Sequence, residues 1–302
     1  MSDIDAVRTP DSRFTNLPDF DWTPKYNDQL SGFEGLRMAR IDEGSGEDAP
    51  VFLCLHGQPS WSFIYRKMIP VFLATGARVV APDLFGFGRS DKPTEDSVYT
   101  FAFHRNSLIA LIEALDLHNI TLVVQDWGGI LGLTIPHEMP DRFDRLLVMN
   151  TVLGLGGGST EGFDEWRDFH GEHPDYDMAN LFQEYVPGMS DDVAEAYAAP
   201  FPDAQFRAGT RRFPSLVMTE PEMEGVEVSR QAAAWWKTEW KGDSFMAVGE
   251  RDVLIPPWLM KRMHDILGIK RPPLMLPDAS HFVQETHGAE VARAALAAWE
   301  SD

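Results

Sequence analysis

A single cysteine, Cys54, stands in a chain of 302 residues, so no internal disulfide can form. It lies in the apolar run "VFLCLHG", where a buried thiol on a strand is the plain expectation. No apolar run reaches the roughly 18 residues that a membrane-spanning helix needs. The opening stretch "MSDIDAVRTPDSRF" is polar and acidic and lacks the apolar segment of a secretory signal. Together these absences lead to the expectation of a cytoplasmic protein without membrane attachment. Positive charge is also scarce: 26 Lys and Arg face 47 Asp and Glu, for a formal charge of -21. Nucleic acids and anionic membranes attract basic patches, so neither is an expected partner, and an anionic substrate is disfavoured by the same field. The chain contains no internal repeat and no long low-complexity tract.

What is present is an ordinary globular composition, 44% hydrophobic and 24% charged, in a chain long enough to bury a substantial core. Six short apolar runs read as buried parallel strands: "VFLCLHG" (51–57), "RVVAPDL" (78–84), "ITLVVQD" (120–126), "RLLVMN" (145–150), "FMAVGE" (245–250) and "PLMLPD" (273–278). Helical patterns separate them, among them "FAFHRNSLIALIEALDL", "PPWLMKRMHDILG" with its proline start and glycine stop, and the alanine-rich "HGAEVARAALAAWE". Alternation of this kind specifies an α/β fold with a mostly parallel central sheet flanked by helices. The rhythm breaks after Asn150. A glycine-rich connector, "TVLGLGGGST", leads into a polar and aromatic segment without a clear strand, and the rhythm returns near Trp235. An inserted helical cap explains this, with a main domain of 1–155 and 228–302 and a cap of 156–227.

In an open parallel sheet, functional residues gather beyond the carboxyl ends of the strands. Four such ends are chemically loaded: "CLHGQPSW" with His56 and Gln58, "VVQDWGG" with Asp126 and Trp127, "AVGERDVLIP" with Asp252, and "LPDASHF" with His281. Nucleophile candidate, acid and histidine follow in the chain order of the α/β-hydrolases. Asp126 has a plainer reading as a helix N-cap. Gly128 and Gly129 weaken it, because they suit a sharp strand-to-helix turn, and so do Asp252 and His281 at two later strand ends. Asp252 also has a capping alternative before "VLIPPW", while a carboxylate there would orient an imidazole and stabilise its charged form. His56 reads as structural. His170 and His173 have a spacing that suits a metal pair but no convincing third ligand, so no metal site is expected. "GLGGG" lacks the context of a dinucleotide fingerprint and reads as a hinge.

With these residues in view, the chain resembles the haloalkane dehalogenases, α/β-hydrolase-fold enzymes with a helical cap. The motifs that carry the resemblance span nearly the whole chain: "HGQPSWSFIYRKMIP", "APDLFGFGRSDKP", "VVQDWGG", "GFDEW", "AYAAPFPD" and "DASHFVQE". "QDWGG" alone is shared with epoxide hydrolases. The resemblance implies a catalytic triad of Asp126, Asp252 and His281, and halide-binding indoles on Trp127 and Trp166. It further implies an oxyanion hole from the backbone N–H groups of Gln58 and Trp127, and an apolar wall at Phe163. It points to the first subfamily, because the acid follows the later strand and Asn150, not a carboxylate, follows "RLLVMN". "HGQP" departs from the commoner "HGEP", a change of little consequence if only the backbone N–H acts.

The implied chemistry is hydrolysis of small haloalkanes to alcohol, halide and a proton through an aspartyl-alkyl ester, with water as co-substrate and no cofactor. A carboxylate needs no deprotonation before it attacks saturated carbon. Indole N–H groups stabilise the departing halide, and a histidine activates the water that cleaves the ester. Four rivals compete. An epoxide hydrolase uses the same nucleophile with paired cap tyrosines, for which Tyr176, Tyr185 and Tyr197 are available. A haloacid-type defluorinase needs arginines near the nucleophile. A serine esterase lacks its serine here. A non-catalytic small-ligand receptor leaves the triad unexplained. Natural substrate, halogen preference and oligomeric state stay open at this level.

Overall fold

The computed structural model describes residues 4–44 and 49–300; the outer limits expected for the main domain, 1 and 302, and the first residues of the opening stretch lie outside them. An eight-stranded sheet forms the centre. In chain order its strands are β1 (Lys25–Asn27), β2 (Met38–Glu43), β3 (Val51–Leu55), β4 (Arg78–Pro82), β5 (Ile120–Val124), β6 (Phe143–Val148), β7 (Asp243–Gly249) and β8 (Leu274–Leu276). Their spatial order is β8-β7-β6-β5-β3-β4-β2-β1. All pairings among β3 to β8 are parallel; β2 runs antiparallel to both β4 and β1.

The six apolar runs are β3 to β8. β1 and β2 escape that criterion because β2 reads "MARIDE". Its charges are buried all the same: Arg40 Nε lies 3.1 Å from Asp42 Oδ2, and Arg78 Nε of β4 lies 2.8 Å from Asp42 Oδ1. Mutual pairing across neighbouring strands replaces water for these groups, which hydropathy along the chain does not register.

Successive strand residues face opposite layers. Leu53 and Leu55 of β3, with Leu122 and Val124 of β5, join the core on one side of the sheet. That layer holds α2 (Phe101–Ala114), α3 (Trp127–Gly132) and α9 (Pro257–Ile266). Phe52, Cys54 and Val123 join the opposite core, with α1 (Ile69–Leu73) and α10 (Val283–Glu300). Cys54 is wholly buried, and burial pushes its thiol up, out of the reactive range.

Five helices separate β6 from β7: α4 (Glu161–Glu172), α5 (Met178–Tyr185), α6 (Asp191–Ala198), α7 (Ala208–Leu216) and α8 (Val226–Thr238). α8 starts after Gly225, whose φ is 92°. It ends on the main domain, where Trp236 Nε1 donates to the carbonyl of Leu133 at 2.7 Å. The expected limit at 227/228 therefore cuts the first turn of a helix that belongs largely to the main-domain layer.

A buried polar clasp ties the inserted helices to the sheet domain. Arg66 donates to both carboxylate oxygens of Glu285 in α10, and Tyr197 of α6 donates to the same carboxylate at 2.6 Å. Burial pushes the Glu285 carboxyl up, but Arg66 and Tyr197 outweigh it and hold it below its ordinary value. Removing the guanidinium leaves that buried charge with only Tyr197 and the half-exposed Lys67, whose Nζ lies 3.0 Å from Oε1. Arg66→Ala is expected to cost about 3–5 kcal/mol of stability, to be read from denaturant unfolding. A loss below 1 kcal/mol would show that solvent reaches the clasp.

Candidate active site

The turn between β5 and α3 sets the site. Asp126 sits there at φ 49° and ψ -128°, in the left-handed half of the map that non-glycine residues avoid. Its neighbours hold it in place. The Asp126 N–H donates to the carbonyl of Asn150 at 2.9 Å, and its carbonyl accepts from the Thr151 hydroxyl at 2.6 Å and from the Gly129 N–H at 2.9 Å. Gly128 has to be glycine: a Cβ there would lie 1.9 Å from the carbonyl oxygen of Leu55. The helix thus starts directly against the end of β3.

The capping reading of Asp126 fails, since its side chain makes no capping bond to α3. The carboxylate turns the other way, and Oδ1 accepts from the backbone N–H of Gln58 at 2.7 Å. Gly57 makes the approach possible, because a Cβ on it would lie 2.2 Å from the same oxygen. Trp127 is the first residue of α3, where a helix leaves its N–H groups without internal acceptors.

The second oxygen of Asp126 lies 3.5 Å from His281 Nε2. On the far side of the ring, Nδ1 donates to Asp252 Oδ2 at 2.8 Å. Asp252 is 2% exposed, and both of its carboxylate oxygens are engaged. Its Oδ1 caps the turn after β7, accepting from the N–H groups of Leu254 and Ile255 at 2.9 and 3.1 Å. Its Oδ2 takes the imidazole and the side-chain amide of Asn150, at 2.9 Å. Asn150 in turn accepts from the Gly249 N–H at 2.8 Å, which locks β6 to β7 behind the acid. Sequence reading treated Asn150 only as the absence of a carboxylate; here it orients one.

Burial works against charge on the His281 ring. The charges of Asp252 and Asp126, and the hydrogen bonds to both, outweigh it and raise the imidazole to about 10. The two flanking carboxylates thus favour a proton on the ring at neutral pH. Any reaction that neutralises Asp126 weakens the ring's hold on that proton.

These groups open onto a cavity of about 150 Å³. Asp126, Trp127, Gln58, His281, Phe163 and Trp166 all line it, so four segments far apart in sequence converge on one space. α4 delivers Phe163 and Trp166. Its N-cap, Thr160, accepts from the Phe163 N–H at 3.1 Å and donates to the carbonyl of Leu254 at 2.8 Å, two residues beyond Asp252. Gly162 packs against Val253 so closely that a Cβ would lie 2.3 Å from its carbonyl oxygen. Most of the remaining wall is aliphatic. The indole N–H groups of Trp127 and Trp166, two of the residues that line this largely apolar space, have no hydrogen-bond partner among the described residues.

The three cap tyrosines are dispersed. Tyr197 is buried on Glu285, and Tyr176 donates to Glu184 at the cap surface. Tyr185 alone lines the cavity with the nucleophile candidate; burial and the nearby Asp252 push its phenol up. The paired phenols of an epoxide hydrolase are thus not assembled. The cavity wall contains one arginine, the exposed Arg262 of α9, rather than a buried cluster gripping a carboxylate. His56 is held by the Gly57 carbonyl at 2.8 Å and accepts from the Leu84 N–H at 2.9 Å. His170 packs on Trp166, and His173 stacks on Phe169. Gly156 and Gly158 of "GLGGG" take left-handed φ values in the connector.

A sheet of this order with a carboxylate at the strand-to-helix turn, and with histidine and acid at later strand ends, defines an α/β-hydrolase. A family model described as alpha/beta hydrolase fold matches residues 50–288. The chain is 41% identical to a haloalkane dehalogenase of Psychrobacter cryohalolentis, over 95% of each chain. It is also 41% identical to haloalkane dehalogenase 1 of Mycobacterium tuberculosis, over 98% of this chain and 99% of that one. Among solved structures, a tetrameric haloalkane dehalogenase from Paraglaciecola agarilytica NO2 superimposes with a TM-score of 0.95 at 49% identity, covering 97% of this chain and 98% of that one. The chain belongs to the haloalkane dehalogenases, hydrolases that act on carbon–halide bonds.

Proposed function

We propose that Asp126 is the nucleophile of this dehalogenase, His281 its base, Asp252 the acid that supports the base, and Trp127 and Trp166 its halide clamp. The observation that carries the reading is the cavity itself. A carboxylate held by the Gln58 N–H lines the same small apolar space as two tryptophans whose indole N–H groups have no partner among the described residues.

Asp126 attacks the halogen-bearing carbon, the carbon–halogen bond breaks, and halide leaves toward the indoles. Indole donates and cannot accept, so it favours an anion without competing for protons. In a space with few other dipoles, such donors act on the charge as it develops. The ester that forms is neutral, so His281 loses one of the two charges that held its proton. The ring releases that proton to solvent and then takes one from a water as that water adds to the ester carbonyl. The N–H groups of Gln58 and Trp127 receive the oxyanion; the first already touches Oδ1 before reaction. Asp252, kept in place by Asn150 and two backbone N–H groups, compensates the imidazolium.

The halide clamp on α4 and the acid after β7 support the first-subfamily assignment, with Asn150 at the alternative acid position. The helical insertion from 156 to the start of α8 serves as a cap over the cavity, and Phe163 is part of its wall. A cavity near 150 Å³ is the size that holds a benzene-sized guest, which favours haloalkanes of up to about six heavy atoms. No helix among the described residues is long and apolar enough to cross a membrane. The lone buried thiol fits a cytoplasmic enzyme.

Halide release from small bromo- and chloroalkanes, with styrene oxide as the competing substrate, tests the assignment. Trp166→Phe keeps an aromatic ring on the wall and removes the donor. It is expected to slow alkylation by about 100-fold, as read by rapid-mixing halide detection. Unchanged halide kinetics in this variant would remove Trp166 from the clamp, and opening of styrene oxide without any halide release would sink the assignment.

A further inference from the structure

Gln125 lies between β5 and Asp126, fully buried and outside the cavity wall. Its Nε2 is 3.0 Å from His281 Nε2 and 3.1 Å from the main-chain carbonyl oxygen of His281. Its Oε1 accepts from Gln284 Nε2 of α10 at 3.4 Å. The direction of this amide is determined by what surrounds it. Tyr65 commits its hydroxyl proton to the carbonyl of Leu55 at 2.7 Å and bonds the Gln284 amide through its oxygen. Gln284 thus offers N–H to Gln125, whose oxygen must face Gln284. An oxygen at the other end would meet the His281 carbonyl without a proton between them. The amide N–H end therefore faces the imidazole Nε2.

We propose that Gln125 is a positioning residue that sets the positive end of its amide against His281 Nε2, disfavours a proton there, and keeps that nitrogen open to accept one from water. It acts through His281 and touches no substrate. The inference rests on His281 being the base.

The ring needs such a counterweight. Asp126 after β5 and Asp252 after β7 face it directly and hold its proton; Tyr185 of α5 lies near Asp252, and His56 lies near Asp126. On the α10 side Gln284 is neutral, and the charge of Glu285 is bound to Arg66. Among these groups, the Gln125 N–H is the dipole turned against a proton on Nε2. Without it the ring holds its proton to higher pH, even after Asp126 has become an ester.

The test separates the two half-reactions by rapid mixing with 1-bromobutane, across pH 6 to 10. Gln125→Leu keeps the volume and removes the amide. Hydrolysis of the alkyl-enzyme is expected to reach half its maximal rate about one pH unit higher than in the parent enzyme, with roughly tenfold loss at neutral pH that recovers in alkali. The alkylation step, which needs no base, keeps its pH dependence. A role in packing alone lowers the rate at every pH and leaves the profile where it was; that result, or a downward shift, overturns the proposal. Should Gln125→Leu fail to fold, Gln125→Met decides. It keeps the length and lacks the amide: an upward shift supports the proposal, and an unmoved profile rejects it. His281→Gln is run alongside. If that variant hydrolyses its ester at the parent rate, the base assignment itself falls, a failure distinct from an unmoved profile in Gln125→Leu.

Discussion

Asp126→Ala is expected to lose halide release by at least about 10⁴-fold, with no alkyl adduct on the protein. The cavity, the indoles and the histidine all remain, so the loss isolates the nucleophile. Water cannot simply replace it. A water in the vacated space lacks the carboxylate's charge, and His281, with one counter-charge removed, is a weaker base than in the free enzyme. The fold changes little. Alanine at the φ of 49° costs about 1 kcal/mol relative to a residue that tolerates the left-handed region. The bonds from Thr151 and Gly129 involve only the main chain of Asp126 and persist. A melting curve near that of the parent, together with absent halide, is the expected pair of results. Continued halide release at more than a hundredth of the parent rate would mean that water displaces halide directly at carbon, and the ester mechanism would have to be given up.

His281→Gln separates the half-reactions. The first step needs no proton transfer, so one equivalent of halide is expected per protein molecule, after which turnover stops. Intact mass should then show the protein heavier by one alkyl group, placed on Asp126 by peptide mapping. Glutamine has no basic nitrogen to take the proton of water, and hydrolysis of the ester is expected to slow by about 10³-fold or more. The variant also removes an imidazole held charged between two carboxylates, leaving Asp126 and Asp252 without their shared cation. Alkylation is then expected to change only a few-fold, since Asp126 keeps its Gln58 N–H. Steady multiple turnovers without adduct would show that a group other than His281 activates the water.

The parallel core of the fold was legible because its strands are buried on both faces and therefore read as unbroken apolar runs. β1 and β2 were not, because Arg40 and Asp42 reach the interior only by pairing with each other and with Arg78. The run of helices between β6 and β7 appeared as a loss of strand pattern, but where it joins the sheet layer did not, since α8 runs unbroken to Trp236, which is bonded to the Leu133 carbonyl. At the site, the glycines after Asp126 announced a tight turn. They left capping and nucleophilic readings both open until the carboxylate was seen to turn from its helix toward the Gln58 N–H. Three cap tyrosines looked equivalent along the chain, and only packing places Tyr185 alone at the cavity. Gln125 and Asn150 carried no signal, because an amide's role depends on which end faces which neighbour.

By itself, then, the sequence determined the kind and order of the elements, the polarity of the chain and the residue types presented at each strand end. These follow from short-range rules: side-chain periodicity, turn chemistry and the reach of a few consecutive residues. Only the tertiary structure decided which of those ends meet. Asp126, Asp252 and His281 lie up to 155 positions apart along the chain. Their hydrogen bonds exist because parallel strands bring the carboxyl ends of β5, β7 and β8 to one edge, where a separation of a few ångströms converts three ordinary side chains into a charged relay.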